Sequence, residues 1–142
     1  MTKRKGFTII ELLIVMAVIA VLIGIAIPSF RGMQIEAWKT KAEGDTRVLK
    51  IALESYYKSN GAFPAVGTYQ TALLGATPRV LESGLSDPFK PSDPYGYALS
   101  SPNGSYYVVY SVGVGGNGVM TVSDTGVATA TAGTPIYATN GY

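Results

Sequence analysis

The sequence predicts an α+β fold. A long N-terminal helix, apolar in its first half and amphipathic in its second, packs on a small antiparallel β-sheet. Three observations predict this. An apolar run opens at Phe7 and reaches Ile27 with Glu11 as its one charge. Apolar residues then recur at three- and four-residue steps from Ile35 to Tyr56. Beyond Pro94 the pattern changes to turn residues and short alternating runs.

Composition narrows the function classes. At 142 residues the chain holds one domain, or a smaller domain plus an anchor. Its net charge of +2 is a property of the first residues. Lys3, Arg4 and Lys5 are three of the 11 basic residues, and the other eight face nine acids. No basic patch for nucleic acid exists. Cysteine and histidine are both absent, which removes disulfides, thiol catalysis, the commonest general base and the commonest transition-metal ligand. This weighs against a hydrolase or a zinc enzyme. Calcium, held by oxygen ligands, stays open.

The first element is the apolar run. At about 1.5 Å per helical residue it is long enough to cross a hydrocarbon core about 30 Å thick. Basic residues beside a first span stay on the cytoplasmic side, so the chain after Ile27 faces outward. An ordinary signal peptide has a shorter apolar region and a small-residue cleavage site. Here the run leaves through Ile27-Pro28-Ser29-Phe30 instead. On hydropathy alone it is an uncleaved single-pass anchor. Glu11 is the exception inside it, since an acid in a spanning helix is costly to insert and points to function.

Gly6-Phe7-Thr8-Ile9-Ile10-Glu11-Leu12-Leu13-Ile14-Val15 resembles the prepilin signature of type IV pilins and type II secretion pseudopilins. The glycine, the phenylalanine, the glutamate four residues later and the unbroken apolar run all match, and Pro28 sits where that family carries its helix proline. The resemblance implies cleavage between Gly6 and Phe7 by a prepilin peptidase and N-methylation of the Phe7 amine. It sets boundaries of a leader at 1–6, a transmembrane and polymerisation helix at 7–28, its amphipathic continuation at 29–61 and a globular head at 62–142. Cleavage creates a cationic α-amino group, ordinarily titrating near pH 8. Glu11 of an adjacent copy is its expected partner in a filament; the alternative is a hydrated, unpaired Glu11. Pro28 has no N–H for the Gly24 carbonyl, so the Gly24–Pro28 turn is a local weak point.

In the second half of the helix, Ile35, Trp38, Ala42, Leu49, Ala52, Leu53 and Tyr56 form the apolar stripe. Glu43, Asp45 and Glu54 read as a solvated face. The helix is expected to end at Ser59-Asn60-Gly61, before Pro64. Tyr56 to Pro64 also resembles the helix exit of major pseudopilins, where a tyrosine pair leads into Asn-Gly-aromatic-Pro.

A short helical piece is expected at Tyr69 to Leu74, followed by a proline-rich loop. In the resembling family an Asp-Pro-aromatic turn precedes the sheet. Asp87-Pro88-Phe89 and Asp93-Pro94-Tyr95 both fit it, and the second is favoured because Tyr95-Gly96-Tyr97-Ala98-Leu99 follows. Ser101-Pro102-Asn103-Gly104 signals a hairpin. Tyr106 to Val112 reads as a strand apolar on both faces, and Val119 to Val122 as a third strand of the sheet. The intervening Gly113-Val114-Gly115-Gly116-Asn117-Gly118 has neither the lysine nor the following helix of a phosphate loop. It is a connection between strands. Major pseudopilins place a calcium loop here. This sequence has glycine where an aspartate is usual, which leaves Asp124 and Asp93 as candidate ligands. The tail from Gly126 to Tyr142 is an extra edge strand or a loose end.

The reading is a filament subunit and not an enzyme. It implies a subunit inserted in the inner membrane with its head outside the cytoplasm, polymerising with itself. Minor pseudopilins or pilins, an assembly platform with its ATPase, and the prepilin peptidase are the other expected partners. The cysteine-free head favours a type II secretion pseudopilus. A surface pilus for adhesion, twitching or DNA uptake is the alternative, and a non-polymerising membrane-anchored binding module is the second.

Overall fold

Unbroken helix-compatible spacing produces α1 (Ile9–Asn60) in a computed structural model of the chain. It describes residues 6–142, apart from the side chains of Pro28 and Ser29. Lys3, Arg4 and Lys5 lie outside the described residues. The chain divides into two units, Met1–Glu36 and Ala37–Tyr142. In the first, α1 is unbroken across Gly24, and its large apolar side chains are exposed, Ile9 at 82% and Ile25 at 70%.

The second unit carries the core. From Ala42 to Leu53, α1 buries the centre of the expected stripe: Ala42, Leu49, Ala52 and Leu53 are all but inaccessible, whereas Trp38 is exposed and Tyr56 half-buried. Burying each leucine is worth roughly 1.5–3 kcal/mol. Thr46 joins them, its hydroxyl satisfied by donation to the Ala42 carbonyl at 2.8 Å. α1 ends where expected. Gly61 takes φ +74°, and its N–H donates to the Tyr57 carbonyl at 2.7 Å, as in an αL helix stop. A 3₁₀ turn (Val66–Thr68) leads into α2 (Tyr69–Leu74), which buries Tyr69 and Leu73.

Five strands follow: β1 (Gly96–Leu99), β2 (Tyr107–Ser111), β3 (Val119–Val122), β4 (Ala128–Ala132) and β5 (Ile136–Thr139). They form two antiparallel sheets, β1-β2-β5 and β3-β4. The expectation that β3 belongs to the same sheet as β1 and β2 is therefore corrected. The third strand of that sheet is β5, paired from Val108↔Thr139 to Ser111↔Ile136. The tail supplies both β4 and β5 and is no loose end. The Asn140 side chain accepts from the Tyr107 N–H and donates to the Ser105 carbonyl, while Tyr142 exchanges backbone bonds with Gly126 and Ala128.

The two apolar faces of β2 explain the arrangement. Tyr107 and Val109 pack into the core with α1, whereas Val108 packs on Met120 and Val122 of β3. Alternate residues of β2 thus meet the helix on one face and the second hairpin on the other.

Buried tyrosines tie sheet to helix through their hydroxyls. Tyr95 donates to Asp45 Oδ2 at 2.8 Å, and Tyr107 to Glu54 Oε1 at 3.0 Å. Tyr69 donates to the Tyr95 carbonyl at 2.7 Å and Tyr97 to the Pro64 carbonyl at 3.2 Å. Asp45 and Glu54 are consequently acceptors for core phenols, which corrects their reading as a purely solvated face. Burial pushes the Tyr69 hydroxyl up to about 12 and raises Tyr97 as well. Burial, then the adjacent carboxylate, raises Tyr95 and Tyr107.

A phenol raised above its ordinary value near 10 contributes stability in full below that pH and loses it as pH climbs through the folded value. The head is therefore expected to keep constant stability up to about pH 10 and to lose it steeply from about pH 10 to 12 and above. Denaturant midpoints of the full chain in detergent, with phenolate absorbance read alongside, check this. Tyrosines that all titrate near 10 in the folded chain, without loss of stability, would contradict it.

Candidate functional site

The N-terminal segment is built from four residues ahead of and inside the first turn of α1. Gly6 and Phe7 are exposed and non-helical, Phe7 at 80%. Thr8 is the N-cap and Glu11 the third helical residue. The Thr8 N–H donates to Glu11 Oε2 at 2.9 Å and the Thr8 hydroxyl to the same oxygen at 2.8 Å. In return, the Glu11 N–H donates to Thr8 Oγ1 at 3.3 Å. This is a capping box, two otherwise unpaired helix-end donors satisfied reciprocally. Its signature, Thr-x-x-Glu before an apolar run, was available in the sequence.

The consequence concerns Glu11. Within a single chain the carboxylate is neither bare nor unpaired; its own helix start holds it. All of those bonds use Oε2, and Oε1 has none among the described residues. An additional donor can therefore approach Oε1 without dismantling the cap. The geometry leaves Glu11 able to serve its own helix and a neighbour's cation together.

Beyond this turn the segment is apolar surface. Among the described residues there is one helix long and apolar enough to cross a membrane, and it is α1. None of its apolar window is covered by the rest of the chain. A surface of this size is not stable against water and marks a membrane or protein contact.

The head places the two calcium candidates separately from any cage. Asp93 Oδ2 is paired with the Lys90 ammonium at 2.6 Å, and each holds the other in its charged form. Asp124 is exposed in the turn between β3 and β4. No three acidic, histidine or cysteine side chains gather into a metal site among the described residues. The acid that does approach the glycine loop is Asp87. It is buried and surrounded by donors: Ser111 Oγ at 2.7 Å and the Phe89 N–H at 3.0 Å on Oδ1, and the Val112 N–H at 2.7 Å on Oδ2. Calcium wants oxygens turned toward it. This donor-lined carboxylate does not fit that ion.

The family described as "Prokaryotic N-terminal methylation motif" matches residues 1–27. The type II secretion system core protein G of Escherichia coli (strain K12) is 31% identical over 113 residues, covering 73% of this chain and 78% of that protein. The chain belongs to the type II secretion core protein G family. The core protein G of Klebsiella pneumoniae is 29% identical over 131 residues, 87% of this chain and 93% of that protein. A fimbrial protein of Pseudomonas aeruginosa is 44% identical, but over 55 residues that make up 39% of this chain and 36% of that one. No solved structure matches the chain significantly. Core protein G is the major pseudopilin, so the long exposed helix, the capped Glu11 and the small β head are those of a pilin-like structural subunit.

The cap yields a direct expectation. Replacing an N-cap threonine by alanine costs about 1 kcal/mol, about fivefold in local opening. Amide exchange at Ile10 to Leu12, measured in detergent micelles, should accelerate by about that factor in Thr8→Ala and in Glu11→Ala. Glu11→Gln keeps an acceptor oxygen and should exchange as the parent does. Unchanged exchange in Thr8→Ala would contradict the cap.

Proposed function

We propose that this chain is the main filament subunit of a type II secretion pseudopilus. It enters the inner membrane as a single-pass precursor, leader toward the cytoplasm and head outside it. A prepilin peptidase cuts between Gly6 and Phe7, and the new Phe7 amine is methylated. Subunits then stack through the apolar part of α1 into a filament beneath or across the envelope, driven by an assembly platform whose ATPase supplies the energy. Minor pseudopilins are its further partners. The chain's role is mechanical; it contributes no catalytic group.

The observation that carries this reading is the unpartnered apolar surface of α1 together with a carboxylate whose Oε1 has no bond among the described residues. In the bilayer, lipid covers that surface. In the filament, other copies do, and the Phe7 amine of one copy meets Glu11 of the next. A charge pair desolvated among apolar helices is strongly destabilised when one partner is removed, so it sets register. Pro28 leaves the Gly24 carbonyl without its helix donor, which makes that turn the place where α1 opens on packing.

A surface pilus is the second reading, favoured by the shorter but closer likeness to the fimbrial protein. A deletion strain separates the two: lost export of secreted proteins supports the pseudopilus, whereas lost surface fibres with export intact supports the pilus.

The same strain complemented with variants tests the charge pair. Glu11→Gln retains the cap and loses the charge. It is expected to insert in the membrane at parental levels and to yield less than a tenth of the parental filaments, about the effect of 1.4 kcal/mol or more per subunit contact. Parental filament yield from Glu11→Gln would overturn the pairing while leaving the cap intact.

A further inference from the structure

Asp87 is the one charged side chain among the fully buried described residues, at 1% exposure. No cation is paired with it there. Its oxygens accept three hydrogen bonds, two on Oδ1 and one on Oδ2. Those donors are arranged along the start of the glycine loop. Ser111 closes β2 and passes the contact on, its Oγ accepting from the Gly113 N–H at 3.2 Å. Val112 gives its N–H to Asp87, and its carbonyl accepts from the Gly118 N–H at 2.8 Å. The carboxylate therefore fixes the entry of the loop directly and its exit through one residue. Gly113 sits at φ +68° with its α-carbon against the Thr134 carbonyl, so the loop is also closed on the connection between β4 and β5.

The carboxylate itself is held in a tight backbone frame. The Asp87 N–H donates to the Asp93 carbonyl at 3.1 Å, the Lys90 N–H to the Asp87 carbonyl at 3.0 Å, and the Asp93 N–H to the Lys90 carbonyl at 2.9 Å. Lys90 pairs with Asp93 across the same turn. Every group that hydrogen-bonds the Asp87 carboxylate is an N–H or O–H, which a divalent cation would repel.

We propose that Asp87 is the internal organiser of the 112–118 loop, taking the structural place of a bound cation, so that this head folds and works without calcium. The buried carboxylate supplies the negative charge, and the three donors converging on it supply the fixed geometry that loop closure needs.

Trp38 reports on the site. It is the only tryptophan, and its ring meets Phe89 edge-on at 5.8 Å, two residues from Asp87. The experiment is thermal melting of the full-length chain in detergent micelles, followed by Trp38 emission and circular dichroism. Melting is run in chelator, then in millimolar calcium or magnesium. A calcium ion saturating a folded-state site a hundredfold would raise the midpoint by about 10 °C. The expected shift for the parent chain is below about 2 °C with either ion. Asp87→Asn turns an amide donor on groups that already donate, and it should melt about 10 °C lower with no rescue by calcium. Ser111→Ala, which removes one donor and leaves the carboxylate, should melt about 4–8 °C lower. A calcium-specific rise in the parent, calcium rescue of Asp87→Asn, or parental melting of Asp87→Asn would each overturn the proposal. If Asp87→Asn does not fold even in calcium, the parent titration and Ser111→Ala still decide it.

Discussion

Among the described residues, the large apolar side chains of the first half of α1 are exposed, and the rest of the molecule depends on that deficit. Water is not an available environment for such a surface. Two others are: a lipid bilayer, and a bundle of identical helices. Lipid tails are as apolar as leucine, so moving from one to the other gains little hydrophobic free energy. What can give the transfer a direction is a polar contact absent in lipid. Glu11 is the only charged side chain from Phe7 to Ile27. The Thr8–Glu11 cap already satisfies the acid within its own helix start, so in the proposed filament a partner on Oε1 would be added without breaking the cap.

The head solves the opposite problem. It is small, and it buries a good deal of polarity. Phenols from β1, β2 and α2 find acceptors on α1 and on backbone carbonyls, and no buried side-chain polar atom among the described residues lacks a partner. Unlike apolar packing, these bonds are directional, so they select one placement of the sheet on the helix. Asp45 and Glu54 set the register from the helix side, while Asp87 holds the loop that joins the two sheets. The sheet and loop can thus be specified by side chains of the chain itself.

Locally encoded features could be read from the sequence. The stripe from Ala42 to Leu53, the stop at Asn60-Gly61, α2 and the bounds of β3 all follow from spacing or from a single turn residue. Features that depend on distant pairing could not. β4 alternates alanine and threonine, with no hydrophobic contrast to mark it as a strand, and the pairing of the four-residue β5 with β2 is set by a partner distant in sequence. Asp45 and Glu54 looked solvated because helix charges usually are; the tyrosines that approach them are about fifty residues away. The sequence favours Asp93-Pro94-Tyr95 as the turn before the sheet, and nothing near Asp87 signals that its carboxylate faces inward. Asp93 and Asp124 became calcium candidates only through resemblance, and the structure commits Asp93 to Lys90.

The central claim is that filament contacts require the chain end made by cutting before Phe7. It is tested most directly by the intact mass of subunits recovered from sheared filaments. The expected species is a chain beginning at N-methylated Phe7. Filaments built from subunits that still begin at Met1 would contradict it.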